Sequence, residues 1–132
     1  CASWVLVDLS TFKMLKSDNI YPEGKFIESV LFKEKLIKPL NVFNDDNYLC
    51  DYQVVKSDID IYHHMNNAKY AELIFDYCDY KAVEIKHFAV NYINQIKQNM
   101  IMKIYKKNID NQTFITGVSN DVTIFTSVID KK

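Results

Sequence analysis

The chain is poor in residues that several specialised folds and sites require. Its 132 residues include two glycines, two prolines and three cysteines, and all sixteen basic residues are lysine, so arginine is absent. The three cysteines (Cys1, Cys50 and Cys78) are odd in number and lack CxxC spacing, which argues against a disulfide framework and a zinc site. Without arginine, no bidentate guanidinium clamp is available to grip a phosphate. An odd number of cysteines without a disulfide framework predicts a protein of the reducing cytoplasm.

Long apolar runs and a charge imbalance are also missing. No apolar run approaches the ~20 residues that span a bilayer, and no signal peptide is apparent. The net charge is −1, which provides no field to attract nucleic acid or an anionic membrane. With 48% apolar and 25% charged residues, the chain reads as a globular protein. We expect no metal, cofactor, nucleic acid or membrane partner. Because the chain begins at Cys1 and not at a Met, we also expect it to be the C-terminal part of a longer protein.

The first third of the chain has little periodicity. Alternating apolar residues predict a β-hairpin over residues 2–16, with turn residues at 8–11. Residues 17–47 hold both prolines and one of the glycines, so we interpret this stretch as a connector with a short helix at 29–35.

The remainder predicts an α+β fold. Alternation over residues 48–57 predicts a strand with Tyr48, Cys50, Tyr52 and Val54 on one face. A helical period then runs from Asn67 to near residue 79, with Asn66 or Asn67 as the N-cap. Four strands follow, at residues 87–96, 100–105, 113–118 and 122–129. This order favours a helix wrapped by a curved antiparallel sheet whose last four strands form a meander, which is the hotdog architecture.

Residues 57–70 are the most informative segment, with the sequence SDIDIYHHMNNAKY. Asp60 and His64 lie just before a helix N-terminus, which places a base, an orienting group and free N–H donors close together. That combination is suited to attack on a carbonyl. The alternative is that Asp58 and Asp60 only stabilise turns before the helix. We expect His63 to face solvent.

Three segments resemble one enzyme family. Residues 58–70, with Asp58, Asp60, His64 and the Asn66–Asn67 pair, resemble the D-x-D-x-N-x-H-[VM]-N-N-x-x-Y signature of plant and bacterial acyl-acyl-carrier-protein (acyl-ACP) thioesterases. Residues 3–8 with a following threonine look like the end of that family's first hotdog domain. Residues 90–96 look like its Y-x-x-E strand.

The resemblance implies a domain organisation. Residues 1–17 would be the terminal strands of a preceding hotdog domain, 18–47 a connector, and 48–132 a hotdog thioesterase domain. Two of the family's four catalytic groups are changed, because Tyr62 stands in place of asparagine and Gln95 in place of glutamate. The position after Gln95 is Ile96, so a cysteine mechanism is not supported.

The resemblance also implies roles for the candidate catalytic residues Asp60, Tyr62, His64, Asn66 and Gln95. Asp60 would be the base or nucleophile, with first-turn N–H groups after Asn66 as oxyanion donors. His64 would orient the water or bond the carboxylate.

The last three assignments concern residues that would bind the substrate or lie beside the reacting carboxylate. Asn67 would bind substrate, and Gln95 could position a water. Tyr62 either replaces the missing amide or blocks the site.

Three functions remain open on the sequence. The first is release of fatty acids from acyl-ACP in fatty acid biosynthesis. The second is a degenerate, non-catalytic hotdog that binds acyl chains or carrier protein, which Tyr62 and Gln95 motivate. The third is hydrolysis of acyl-CoA. Because hotdog domains pair, we expect a homo-oligomer or pairing with a missing N-terminal hotdog.

Overall fold

A computed structural model describes Leu6–Val7, Met14–Leu15 and residues 37–132. Leu6–Val7 (β1) and Met14–Leu15 (β2) pair antiparallel, so the predicted hairpin is confirmed at these two pairs. Its turn at 8–11 and the predicted helix at 29–35 lie outside the described residues. The chain divides into two compact units, Cys1–Lys35 and Leu36–Lys132.

The second unit contains one five-stranded antiparallel sheet and, in its described residues, one α-helix. The strand order is β3-β5-β6-β7-β4, so β3 and β4 are the edges. Short 3-10 helices lie at Asp45–Asn47, Lys56–Asp58 and Ala82–Glu84. The bounds are β3 Tyr48–Gln53, α1 Asn67–Asp76, β4 Ile85–Tyr92, β5 Ile101–Ile109, β6 Gln112–Ser119 and β7 Val122–Lys131. In the part of the chain that is described, no helix is long and apolar enough to cross a membrane.

The predicted four-strand meander is right for three strands and wrong for the fourth. β5, β6 and β7 follow one another as hairpins, and their turns place Asp110, Asn120 and Asp121 at positive φ, which Asp and Asn tolerate. β4, however, pairs with β7 at the far edge and does not pair with β5. The strand predicted at 87–96 spans Ile85–Tyr92, so residues 93–96 belong to the link 93–100, which holds the fully buried Ile96 and carries the chain to the non-adjacent strand β5.

Strand β3 is shorter than predicted and changes face within its length. It ends at Gln53, and its pairing with β5 shifts register between Tyr48 and Cys50. Cys50, like Tyr52, packs against the core on the helix side, whereas Tyr48 is 48% exposed and contacts Tyr105 edge-on at 5.9 Å. A register shift moves side chains to the opposite face, which strict alternation does not anticipate.

Helix α1 starts where the sequence predicts and ends earlier. The Asn66 side chain caps it by accepting from Ala68 N at 2.9 Å. The last helical residue is Asp76. Tyr77 and Cys78 still reach the core from outside the helix, so their apolar character extends the pattern past its true end.

The helix covers one face of the sheet. Tyr70, Leu73 and Ile74 on α1 are buried against side chains of β5, β6 and β7, including Phe125, which is fully buried. Gly117 on β6 makes room for this packing, since a Cβ there would lie 2.7 Å from Met102 Sδ and overlap the Phe125 ring. The close packing fixes where the N-terminus of α1 sits on the sheet.

Residues just before β3 cover the opposite face. Val42 is 7% exposed, its N–H donates to Thr116 Oγ1 at 3.1 Å, and it packs in a second buried cluster. The other members of that cluster are Tyr105, Phe114, Val118 and Val128. Part of the predicted connector therefore packs on the sheet, and the domain boundaries at 17 and 47 stay predictions.

Candidate functional site

The loop that joins β3 to α1 begins with a buried carboxylate. Asp58 is 4% exposed, and its Oδ2 accepts from the Tyr52 phenol at 2.8 Å and from Val55 N at 2.9 Å. Its carbonyl accepts from Asn66 N at 2.8 Å, next to the helix start. Burial, followed by the bond to Asp58, raises the pKa of Tyr52 to about 12. Asp58 is a structural anchor, so the turn-stabilising alternative holds for this residue.

Asp60, two residues later, is in a different environment. It is half-buried, and its Oδ1 accepts from Tyr62 N at 2.8 Å and His64 N at 3.4 Å. A backbone bond from Asp60 N to His64 O at 2.9 Å closes the turn. Among the described residues, no donor is bonded to Oδ2, so one carboxylate oxygen is fixed by the backbone and the other is available to a water or a substrate.

The turn between Asp60 and His64 projects outward. Ile61 is 84% exposed, Tyr62 is 72% exposed, and His63 is exposed with φ at 64°. The expected solvent exposure of His63 is confirmed. The Tyr62 phenol makes no hydrogen bond to another described residue.

Residues 60–67 form one wall of the site, and the chain that leaves β4 forms the second. Ile93 N and Asn94 N both donate to Ile124 O, at 2.8 and 3.0 Å, and Asn94 Nδ2 donates to Thr123 O at 2.8 Å. These bonds tie residues 93–94 to the start of β7. Beyond them, Gln95 is exposed.

The two walls enclose a cleft of about 650 Å³. The cleft brings together five of the six residues that the sequence predicts for the site, namely Asp60, Tyr62, His64, Asn67 and Gln95. The sixth, Asn66, does not line it, since its side-chain oxygen is engaged in capping α1. The other lining residues are Met65, Tyr70, Tyr92, Ile93 and Asn94.

The N-terminus of α1 offers fewer free donors than expected. Ala68 N is bonded to the Asn66 side chain, and Lys69 N donates to Asn66 O at 2.9 Å. Within the described chain this leaves the Asn67 N–H as the first-turn donor without a partner. Asn67 lines the cleft, and the helix dipole favours negative charge at this end.

Sequence reasoning did not assign Tyr92 and Asn94 to the site, and it placed Tyr70 in the core. Tyr70 is indeed 3% exposed, yet it also lines the cleft, where its ring meets Tyr92 edge-on with centroids 5.4 Å apart. Burial raises the pKa of Tyr70 to about 12 and also raises that of Tyr92, so both phenols stay protonated at neutral pH. The available signal was the position of Tyr92 in the Y-x-x-E-like segment.

The described residues contain no group of three or more His, Cys, Asp or Glu side chains arranged to hold a metal ion. Cys50 and Cys78 are free thiols, each half-buried. Neither lines the cleft.

Comparison with known proteins identifies the family. Residues 44–128 match the family model described as the acyl-ACP thioesterase C-terminal domain. This match covers more than half of the chain, so the chain belongs to the acyl-ACP thioesterase family. No curated protein sequence is significantly similar to the chain.

Solved structures show the same fold. An acyl-ACP thioesterase from Bacteroides thetaiotaomicron superposes with a TM-score of 0.71 at 18% identity, covering 96% of this chain and 53% of that one. The 12:0-ACP thioesterase from Umbellularia californica superposes with a TM-score of 0.73 at 18% sequence identity, and the match covers 96% of this chain and 52% of that one. A putative oleoyl thioesterase from Lactobacillus plantarum superposes with a TM-score of 0.63 at 17% sequence identity, and the match covers 96% of this chain and 53% of that one. The predicted hotdog fold is confirmed, and the chain spans about half the length of these structures.

Proposed function

We propose that the chain hydrolyses the thioester of acyl-ACP and thereby releases a free fatty acid, with Asp60 as the reacting carboxylate. Family membership supports thioester hydrolysis, and the named thioesterases among the structural neighbours support an acyl-ACP substrate. The observation that carries the proposal is the cleft, in which Asp60, His64 and Asn67 face the same space.

Hydrolysis begins with attack on the thioester carbonyl. In the general-base form, Asp60 Oδ2 removes a proton from water while the water oxygen bonds to the acyl carbon. The carbonyl oxygen becomes an oxyanion, which the Asn67 N–H and the helix dipole stabilise. Collapse of this intermediate breaks the carbon–sulfur bond, and the proton held by Asp60 passes to the thiolate. Because a thiol has a pKa of about 8.5, its departure needs little acid assistance.

In the nucleophilic form, Asp60 Oδ2 attacks the acyl carbon directly. The thiolate leaves, and the resulting mixed anhydride is then hydrolysed by water to the fatty acid and free Asp60. The geometry of the free Oδ2 suits both forms. A single turnover in heavy-oxygen water that leaves label in the Asp60 peptide would establish the nucleophilic form, because water attack on the Asp60 side of the anhydride labels that carboxylate and the general-base form labels only the fatty acid.

Neighbouring groups assist the reaction without supplying a second base. His64, whose backbone is tied to Asp60, orients the water or the carboxylate. Gln95 is neutral and positions a water from the opposite wall. Tyr62, which stands where the family has an amide, offers an exposed phenolic donor at the mouth of the cleft.

A second candidate is a non-catalytic hotdog that binds acyl-ACP or an acyl chain. The specific observation in its favour is that two groups in the cleft, Tyr62 and Gln95, differ from the residues that the family signature leads us to expect. In this candidate the cleft retains the shape of the site, while the loss of the glutamate and the amide removes turnover.

Substrate carrier and assembly belong to the same proposal. Acyl-ACP is our first choice and acyl-CoA the alternative. Because the chain spans about half of its structural neighbours, we propose that a second hotdog domain or a second copy pairs with it. The cytoplasmic location predicted from the cysteines stays a prediction.

The test measures thiol release from acyl-ACP and from acyl-CoA with equal acyl groups, together with binding of non-hydrolysable acyl-ACP. We expect release from both substrates to be detectable and faster from acyl-ACP. Faster release from acyl-CoA would reassign the substrate. Binding of acyl-ACP without any thiol release would contradict the proposal and favour the non-catalytic candidate.

A further inference from the structure

The two walls of the cleft are joined at two places. Near one end, Met65 N donates to Ile96 O at 3.1 Å, and both residues are buried. At the other end, the Tyr92 phenol donates to Asn67 O at 3.2 Å. Asp60 and His64 line the same cleft on one wall, and Gln95 lines it on the other.

The two ties differ in their support. The Met65–Ile96 bond sits in the core, and the surrounding side chains hold it in place. The Tyr92 bond is closer to the surface, since the side chain is 48% exposed, and it depends on one hydroxyl and on the edge-on contact with Tyr70. Removing one oxygen atom therefore deletes this hydrogen bond between the walls, while the ring contact with Tyr70 and the bonds of residues 93–94 to β7 remain.

The acceptor of the Tyr92 bond is at an informative position. Asn67 is the first residue of α1, and its N–H is the first-turn donor that no described residue occupies. A bond to its carbonyl fixes the first turn of the helix relative to the chain that leaves β4. The ordinary pKa of a phenol, near 10, keeps Tyr92 a donor in the neutral range, and burial raises this pKa further.

We propose that Tyr92 is a positioning residue, which fixes the Asn67 end of α1 against residues 93–95 and so sets the separation of Asn67 and Gln95 across the cleft. It acts through Asn67 and does not itself touch the reacting atoms. Its effect on catalysis rests on the function proposed above, whereas its effect on cleft geometry does not.

The test compares Tyr92→Phe with a matched control, Tyr48→Phe. Both tyrosines are 48% exposed, and their phenols donate at 3.2 and 3.1 Å. The Tyr48 phenol bonds Asp51, which does not line the cleft. Each substitution removes one hydroxyl and keeps the ring, so Tyr92→Phe retains the contact with Tyr70.

The first readout needs no substrate. In Tyr92→Phe, we expect the backbone amide NMR resonance of Ala68, whose peptide unit contains Asn67 O, and the side-chain amide resonances of Gln95 to shift together. Tyr48→Phe should leave both unchanged. Unmoved Gln95 resonances in Tyr92→Phe would overturn the proposal, because the first turn would then be independent of the opposite wall.

The second readout is steady-state thiol release from acyl-ACP. Loss of one hydrogen bond that acts on the transition state predicts a kcat about three- to tenfold lower in Tyr92→Phe with KM within about twofold. Tyr48→Phe should match the wild type. An unchanged kcat for Tyr92→Phe would overturn its role in the reaction. An inactive wild-type protein with coupled resonance shifts would contradict the proposed function and still support Tyr92 as the tie between the walls.

Discussion

The two halves of the loop between β3 and α1 use the same residue type for different purposes. In the first half, Asp58 is 4% exposed and both the Tyr52 phenol and Val55 N donate to one of its oxygens. In the second half, Asp60 is half-buried, faces the cleft, and keeps Oδ2 free of any bond to a described residue. Two aspartates at i and i+2 therefore separate into an anchor and a candidate catalytic group, and burial is what distinguishes them.

The comparison predicts, first, that removing the charge of Asp60 abolishes most activity without affecting the fold. For Asp60→Asn we expect kcat/KM to fall by about 10²- to 10⁴-fold, the range typical of a lost general base. The backbone donors of Tyr62 and His64 can still bond the amide oxygen, so the urea midpoint should stay close to that of the wild type. Asp51→Asn, a matched change outside the cleft, should keep full activity, and an equal loss in that control would refute the assignment.

The second prediction concerns Asp58 and stability. Asp58→Ala leaves the Tyr52 phenol and Val55 N without their acceptor, so we expect the free energy of unfolding to fall by about 1–3 kcal/mol. Urea denaturation followed by far-ultraviolet circular dichroism measures this. A stability equal to the wild type would show that water replaces the carboxylate at no cost and that Asp58 is not an anchor.

The third prediction concerns the two positions where the cleft departs from the family signature. Gln95→Glu adds a carboxylate to the wall opposite Asp60, and Tyr62→Asn restores the amide. We expect the double variant to release thiol about tenfold faster, equivalent to ~1.4 kcal/mol in the barrier. A slower double variant would mean that Tyr62 and Gln95 are working replacements in this chain.

The fourth prediction, with the smallest effect, is that stability depends on pH through Tyr52, the phenol that donates to Asp58. The folded-state pKa of Tyr52, about 12, lies above its unfolded value near 10. The protonated phenol therefore contributes fully to the free energy of unfolding below pH ~10, and this contribution declines as the pH rises towards 12. Tyr52→Phe should flatten this decline, although Tyr70 and Tyr77 also titrate high in the folded state. Melting temperatures from pH 9 to about 12 provide the measurement. Identical slopes in variant and wild type would exclude Tyr52 as a contributor.

Much of the fold follows from patterns along the sequence. Helical period locates α1, and apolar alternation or apolar runs bounded by turn residues locate the strands, of which β6 and β7 are buried on both faces. The pairing of β4 with β7 was not predictable from them, because these strands are far apart in the sequence and local patterns do not show which strand lies beside which. The end of α1 was missed for a similar reason, as Tyr77 contacts the core from outside the helix.

The site divides in the same way. Residues 60–67 are contiguous, so their co-location with a helix start could be inferred from the sequence. The choice of Asp60 over Asp58 came from the family resemblance and not from spacing, because both precede the same helix and only the path of the loop separates them. The contact between Tyr92 and Asn67 joins residues 25 positions apart and depends on the sheet order.

One measurement tests the division between anchor and reacting group most directly. It is kcat/KM for acyl-ACP hydrolysis by Asp58→Ala and Asp60→Asn, each normalised to the concentration of folded protein. Our account predicts that Asp58→Ala stays within about fivefold of the wild type and that Asp60→Asn falls by at least about 100-fold. Comparable activity in the two variants, or a larger loss in Asp58→Ala, would contradict it.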